Sequence, residues 1–337
     1  MNKYKFLDLS GYMFSGKTAV GHVIRELEGF CVSDFEMEFN LLRIQNGIVD
    51  LESSLIDNWS LIRSNDAIVK FQKMVKKFDG TYAKFPYYLF HFHSDFYNTQ
   101  FNNKFTQLSN EYVNNLLTKS WKAEWPYPLY DMCETESFMR KIRKRLFKDN
   151  NAYENKLHLV DGKEFIKYTR LYLDSLMSNF NEIKKNTKTV VMNNSFEPFN
   201  AQKSLLYFTD AKCIIIRRDP RDMFATGANE SSSFAKISHG EKVENFILRF
   251  KMQEDNTNKE VNKDILFLQY EDLVLDYENC LCKLYDFLEI KKEVHIFKKK
   301  YFNPEDSKAF IGIHKQYKNQ EDIKLIEKDL AEYCLDI

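Results

Sequence analysis

The chain has 337 residues, 44% of them hydrophobic, enough for one large domain or a core domain carrying a sizeable insertion. Its 49 basic residues balance 49 acidic ones, so charge gives no global bias toward nucleic acid or an anionic membrane. No apolar run approaches the roughly 20 residues that span a bilayer, and the N-terminus lacks a signal-peptide layout, so a cytoplasmic protein without a transmembrane segment is expected.

In chain order, residues 6–9 read as a buried strand. Residues 11–18, Gly-Tyr-Met-Phe-Ser-Gly-Lys-Thr, match G-x-x-x-x-G-K-T. A helix from Lys17 to about Leu27 follows, with Val20, Val23, Ile24 and Leu27 on one side. Strand, glycine loop and helix in succession aim backbone N–H groups at an anion. Lys17 adds a mobile positive charge, and Thr18 a hydroxyl able to hold Mg²⁺. Gly11, Phe14, Ser15, Gly16, Lys17, Thr18 and the adjoining Ala19 therefore form a candidate site for a phosphorylated nucleotide.

Residues 45–185 are polar, aromatic and mostly helical in pattern, with helices near 67–78, 105–117 and 165–180. Breaks are expected at residues 85–88 and 121–130, where prolines and aromatics cluster. This stretch reads as a helical insertion between the two parts of an α/β core, 1–44 and 186–337, and as the place where an acceptor pocket is built. His91, His93 and Asp95 alternate along one segment, but no further ligand follows at metal-site spacing, so packing among aromatics is the expected role and no metal is assigned. The six cysteines contain no C-x-x-C pair, as expected for buried thiols in a reducing compartment.

Short apolar strands return at 189–192, 212–216 and 265–268, each followed by a helical pattern. They end at Asn193-Asn194, at Arg217-Arg218-Asp219 and at Gln269-Tyr270-Glu271-Asp272, the strand ends where open α/β sheets bind ligands. The fold class expected is α/β, a P-loop-type parallel sheet flanked by helices with a mostly helical insertion. A helix spans about 277–288, and a last one starts near Asn319 with Asp322 as a partial capping box. Arg217, Arg218 and Arg221 crowd one strand-to-helix junction, with Pro220 suited to the first helical turn and guanidinium groups suited to phosphate.

These motifs resemble the sulfotransferases that use 3′-phosphoadenylyl sulfate (PAPS). That family pairs a glycine-rich loop for the 5′-phosphosulfate with a later R-[DN]-P-[RK]-D, which Arg218-Asp219-Pro220-Arg221-Asp222 fits. The resemblance implies that Arg218 and Thr226, eight residues on, hold the 3′-phosphate. Tyr270-Glu271-Asp272-Leu273 resembles the family's Y-E-D-L, whose tyrosine reaches the adenine. Tyr317-Lys318-Asn319 resembles its W-K-N ending, a lid over the nucleotide. The likeness covers both ends and the sheet core and says little about residues 45–185.

Phe14 departs from the family pattern, which has a basic residue there, and Lys17 occupies the position where phosphate-transferring P-loop proteins keep theirs. In the implied reaction Lys17 stabilises the leaving phosphate, and Glu36, or second Glu38, takes the proton of an attacking hydroxyl. Glu36-Met37-Glu38-Phe39 fits the Glu-then-aromatic pattern of members that act on glycans or small bacterial acceptors. The expected activity is sulfuryl transfer from PAPS, with PAP as product, to a hydroxyl acceptor such as a carbohydrate. Two alternatives stand beside it. One is an ATP-dependent kinase, in which Thr18 and Asp272 hold Mg²⁺. The other is a nucleotide-binding protein without catalysis.

Overall fold

A computed structural model describes residues 4–34, 38–79, 96–124, 134–148, 154–230, 236–239 and 242–336. The chain divides into two compact units, 1–40 with 182–337 and 41–181. Glu36, residues 85–88, His91, His93, Asp95 and Cys133 lie outside the described residues.

The first unit opens with β1 (Lys5–Gly11), followed by α1 (Lys17–Arg25) and β2 (Phe30–Val32). Every residue of β1 after Lys5 is buried, Asp8 and Ser10 included, because this strand has neighbours on both sides and cover on both faces.

The second unit holds α2 (Leu61–Phe78), α3 (Phe105–Leu116), β3 (Leu117–Glu124), α4 (Glu134–Leu146), β4 (Glu154–Val160) and α5 (Phe165–Ser178). Ser60 caps α2 by accepting from the Arg63 N–H, so that helix begins six residues before the periodic stretch that starts at Ala67. Tyr112 of α3 stacks on Tyr172 of α5 at 4.6 Å, and their hydroxyls bond Thr169 and Ser109. The insertion also contains the antiparallel β3–β4 pair, absent from the helical expectation. The conformation of residues 117–124 is set by pairing with a strand some 30 residues on, in which Leu157, His158 and Val160 are buried.

The chain then returns to the first unit with β5 (Thr189–Asn193), β6 (Ala211–Arg217), α6 (Pro220–Asn229), α7 (Val243–Asp255), β7 (Ile265–Gln269), α8 (Tyr277–Leu288) and α9 (Gln320–Asp329). The strands join in the order β2-β5-β1-β6-β7, all parallel. β2 is the strand that the sequence pattern did not reveal, being only three residues long.

Val20, Val23 and Ile24 of α1 pack on Leu7, Leu9, Ile214 and Ile216 of the sheet and on Leu281, Leu284 and Leu288 of α8. A second cluster joins Phe224 of α6, Phe246 and Phe250 of α7 and Ile323 and Ile326 of α9. Asn319 gives α9 no side-chain cap, so the expected capping box does not form. Among the described residues no helix is long and apolar enough to cross a membrane.

β1 is the point where the sheet's order reverses, β5 and β2 lying on one side and β6 and β7 on the other. The carboxyl ends of β1 and β6 flank that crevice, the usual ligand position in such sheets.

Candidate functional site

The loop after β1 is set by two left-handed residues, Phe14 at φ 64° and Gly16 at φ 92°. Ser15 N–H donates to the Tyr12 carbonyl and Ala19 N–H to the Gly16 carbonyl, which closes the turn onto α1. A Cβ on Gly16 would meet the Tyr270 ring at 2.4 Å, so close approach and positive φ both demand glycine here. Lys17 Nζ donates to the Gly11 carbonyl at 3.0 Å, folding its charge back over the loop. Thr18 is exposed at the start of α1, and Ala19 is half-buried. Ser15 Oγ is buried and bonds no described protein group, although it lines a cavity of about 150 Å³ shared with Tyr12 and Arg218.

The arginines that close β6 have separate roles. Arg217 donates to the buried Glu254 at 3.2 Å and lies over the Phe267 ring. Arg221 grips Asp219 through Nε and Nη2, reaches Glu327, and donates to the Leu335 carbonyl. Asp219 caps α6 by accepting from the Arg221 N–H and also takes the Leu335 N–H. Only Arg218 turns to the glycine loop. Its Nη1 donates to the Phe14 carbonyl at 2.9 Å and its Nη2 to the Phe310 carbonyl at 2.7 Å. The guanidinium lies 5.0 Å from the Tyr270 ring centroid, and its Nε, buried, donates to no described protein group. Glu271 Oε1 accepts the Asp219 N–H at 2.9 Å; its carboxyl is raised by burial.

Asp222, in the first turn of α6, is fully buried. Its oxygens accept from Gly312 N–H, His314 N–H and His314 Nδ1, fixing the segment before α9 against α6. Burial alone would raise the Asp222 carboxyl, but the bonds from His314 and Gly312 outweigh it and hold it below its ordinary value. His314 is therefore a buried clamp. Tyr317 meets the Phe224 ring edge-on at 5.5 Å, whereas Lys318 is exposed. Thr226 Oγ1 donates to the Asp222 carbonyl one turn back in α6. Tyr270 is raised by burial against a hydrogen bond with Ser307.

On the other side of β1, Glu38 bridges to Asn193, and Asn194 Nδ2 donates to its Oε1 at 2.5 Å. Asn194 has φ 51° and its N–H donates to the Leu9 carbonyl, so the end of β5 is tied to β1 just before the loop. Beneath lies Asp8, invisible as a feature in the sequence. It is fully buried, accepts from Ser10 Oγ and the Ser195 N–H, and burial pushes its pKa up to about 6.

The acidic residue assigned to Mg²⁺ in the kinase alternative, Asp272, pairs with Lys283 at 3.6 Å. Among the described residues no group of three or more His, Cys, Asp or Glu side chains is placed to hold a metal ion.

The described site thus joins Gly11–Ala19, Arg218, Tyr270 and the Gly312–His314 segment; Glu38 stands at the adjacent strand end. The family model described as "Sulfotransferase family" matches residues 113–293. Among solved structures, sulfotransferase STF9 from Mycobacterium avium is 10% identical, with 99% of this chain and 76% of that one covered and a TM-score of 0.38. The sulfotransferase domain of the Synechococcus PCC 7002 olefin synthase is 14% identical, with 98% and 95% covered and a TM-score of 0.41. A sulfotransferase domain from the curacin biosynthetic pathway is 12% identical, with 90% and 79% covered and a TM-score of 0.37. No curated protein sequence matches the chain.

Proposed function

Because the chain belongs to the sulfotransferase family, we propose that it moves a sulfuryl group from PAPS to a hydroxyl acceptor, carbohydrates being one candidate class. The observation that carries this reading is the pairing of Arg218 with the glycine loop. A buried arginine bonded to the Phe14 carbonyl has an Nε donor with no described partner, and it lines one cavity with Ser15, whose buried hydroxyl is also free of described partners. Orphaned buried donors facing a left-handed loop at a helix N-terminus fit a phosphate-bearing ligand.

In this proposal the loop N–H groups, Ser15 and Lys17 hold the 5′-phosphosulfate. Arg218 and Thr226 hold the 3′-phosphate, with Tyr270 beside the adenine and Tyr317 and Lys318 at the lid. PAPS, when bound, supplies the sulfuryl group, and its product is PAP. Lys17 Nζ, now on the Gly11 carbonyl, swings to the oxygen on which charge develops as the S–O bond to phosphate breaks. A carboxylate takes the acceptor proton as the new S–O bond forms. Glu36 is the first candidate for that role, and Glu38, bonded by the Asn194 amide in the same stretch, is the second. The unit of residues 41–181 is assigned to acceptor binding, and the protein is assigned to the cytoplasm.

The test is a transfer assay with PAPS and a panel of hydroxyl acceptors, reading PAP by chromatography and the sulfated product by mass. Product formed without added metal supports the reading. Phosphoryl transfer from Mg-ATP to the same acceptors, with none from PAPS, would replace it with the kinase.

A further inference from the structure

A second cavity, of about 450 Å³, runs along α7 and shares no lining residue with the one at Ser15 and Arg218. This volume is in the range that holds a small organic ligand. Leu248 and Met252, one turn apart on α7, are exposed apolar side chains in its wall, and Phe199 joins them from the turn after β5. Arg249 and Gln253 supply its charge and polarity.

Arg249 is the informative residue. Its Nη1 donates to Gln253 Oε1 at 3.1 Å, and the guanidinium lies 5.7 Å from the Phe246 ring centroid. Its Nε and Nη2 are buried and donate to no described protein group. Those two nitrogens form the side edge of the guanidinium, the edge that grips a carboxylate or phosphate through two parallel bonds. Among the described residues no carboxylate pairs with Arg249. Burial lowers its pKa, as for a cation withdrawn from water without a counter-anion, with Tyr12 acting weakly the other way. A buried donor pair without acceptors is a standing cost to the fold that an anion removes.

We propose that this cavity binds a small organic anion, a carboxylate or phosphate on an apolar body. Its oxygens take the Nε–Nη2 edge of Arg249, and its apolar part lies against Leu248, Met252 and Phe199. The edge is covered by protein, so binding includes a rotation of the guanidinium about its aliphatic stem. The site is distinct from the one assigned to PAPS and stands whether or not that assignment does.

Calorimetric titration with phenyl phosphate and with benzoate, each with and without saturating PAP, tests it; benzyl alcohol is the uncharged control. At least one anion should bind saturably and survive PAP. Arg249→Met should weaken binding at least tenfold and Arg249→Lys less. Leu248→Trp, at an exposed position that the fold tolerates, should also weaken it by filling the cavity. Arg218→Met should leave it unchanged. Binding by neither anion, equal binding of benzyl alcohol, or a loss that follows Arg218→Met instead of Arg249→Met and Leu248→Trp overturns the proposal. Failure of PAP to bind speaks against the donor assignment alone.

Discussion

Arg218 donates from Nη1 to the carbonyl oxygen of Phe14 at 2.9 Å, tying the end of β6 to the glycine loop across 204 positions of sequence. Phe14 is the residue that departs from the family's basic pattern, and its left-handed backbone offers that carbonyl to the arginine. The charge near the loop thus comes from Arg218 and Lys17 rather than from position 14.

Replacing Arg218 by Met should weaken PAP binding about ten- to a hundredfold, the equivalent of about 1.5–3 kcal/mol for a charged hydrogen bond. Arg218→Lys should recover only part, since an ammonium lacks the planar fork. Calorimetric titration reads the affinities. A thermal melt of each variant separates lost binding from loosening of the Phe14 and Phe310 ties.

Gly16→Ala should destabilise the first unit by roughly 1–3 kcal/mol, from the left-handed backbone and the clash with Tyr270. Urea unfolding measures it. A wild-type midpoint in the alanine variant would mean that the loop and the Tyr270 ring separate freely.

Much of this arrangement is legible in sequence because its signals are local. Gly16 and Lys17 share one loop, Asp219 and Pro220 begin α6 where the motif places them, and the strands at 189, 212 and 265 are uninterrupted apolar runs. What is hidden depends on distant partners. Arg217, Arg218 and Arg221 look equivalent in sequence, yet Glu254, Glu327 and the Leu335 carbonyl claim two of them. Asp222 meets His314 across 92 positions, and Asp8 meets Ser195 across 187. The β3–β4 pair escaped notice for the same reason, since its register is fixed between segments that have no shared local pattern.

Asp8 gives a pH dependence with a definite sign. Its folded pKa is about 6 against an ordinary 3.8, so the fold favours the protonated acid. Below pH 4 both states are protonated and no penalty exists; the penalty grows through the window from about 4 to 6 and is full above it. Asp8→Asn should therefore gain stability relative to wild type as pH rises from 4 to 7, by an amount on the order of 3 kcal/mol. Urea midpoints at pH 4, 5.5 and 7 check this, and a constant difference would show that Asp8 titrates as an ordinary carboxyl.

Glu26 is a further buried anchor. It accepts N–H groups of Lys299, Tyr301 and Phe302 and lies 2.7 Å from His295 Nε2, whose Nδ1 meets the Tyr285 hydroxyl. Glu26→Ala leaves these donors buried without an acceptor and should cost about 3–5 kcal/mol. Hydrogen exchange should show lost protection at the amides of Lys299, Tyr301 and Phe302 first.

In the proposed function the glycine loop and Arg218 together select a nucleotide carrying a 3′-phosphate. Titration of the wild-type protein with PAP, ADP and ATP, with and without Mg²⁺, tests it most directly. PAP should bind tightest without needing the metal, and Arg218→Met should narrow its advantage over ADP. Tighter binding of Mg-ATP than of PAP, unaffected by Arg218→Met, would contradict it.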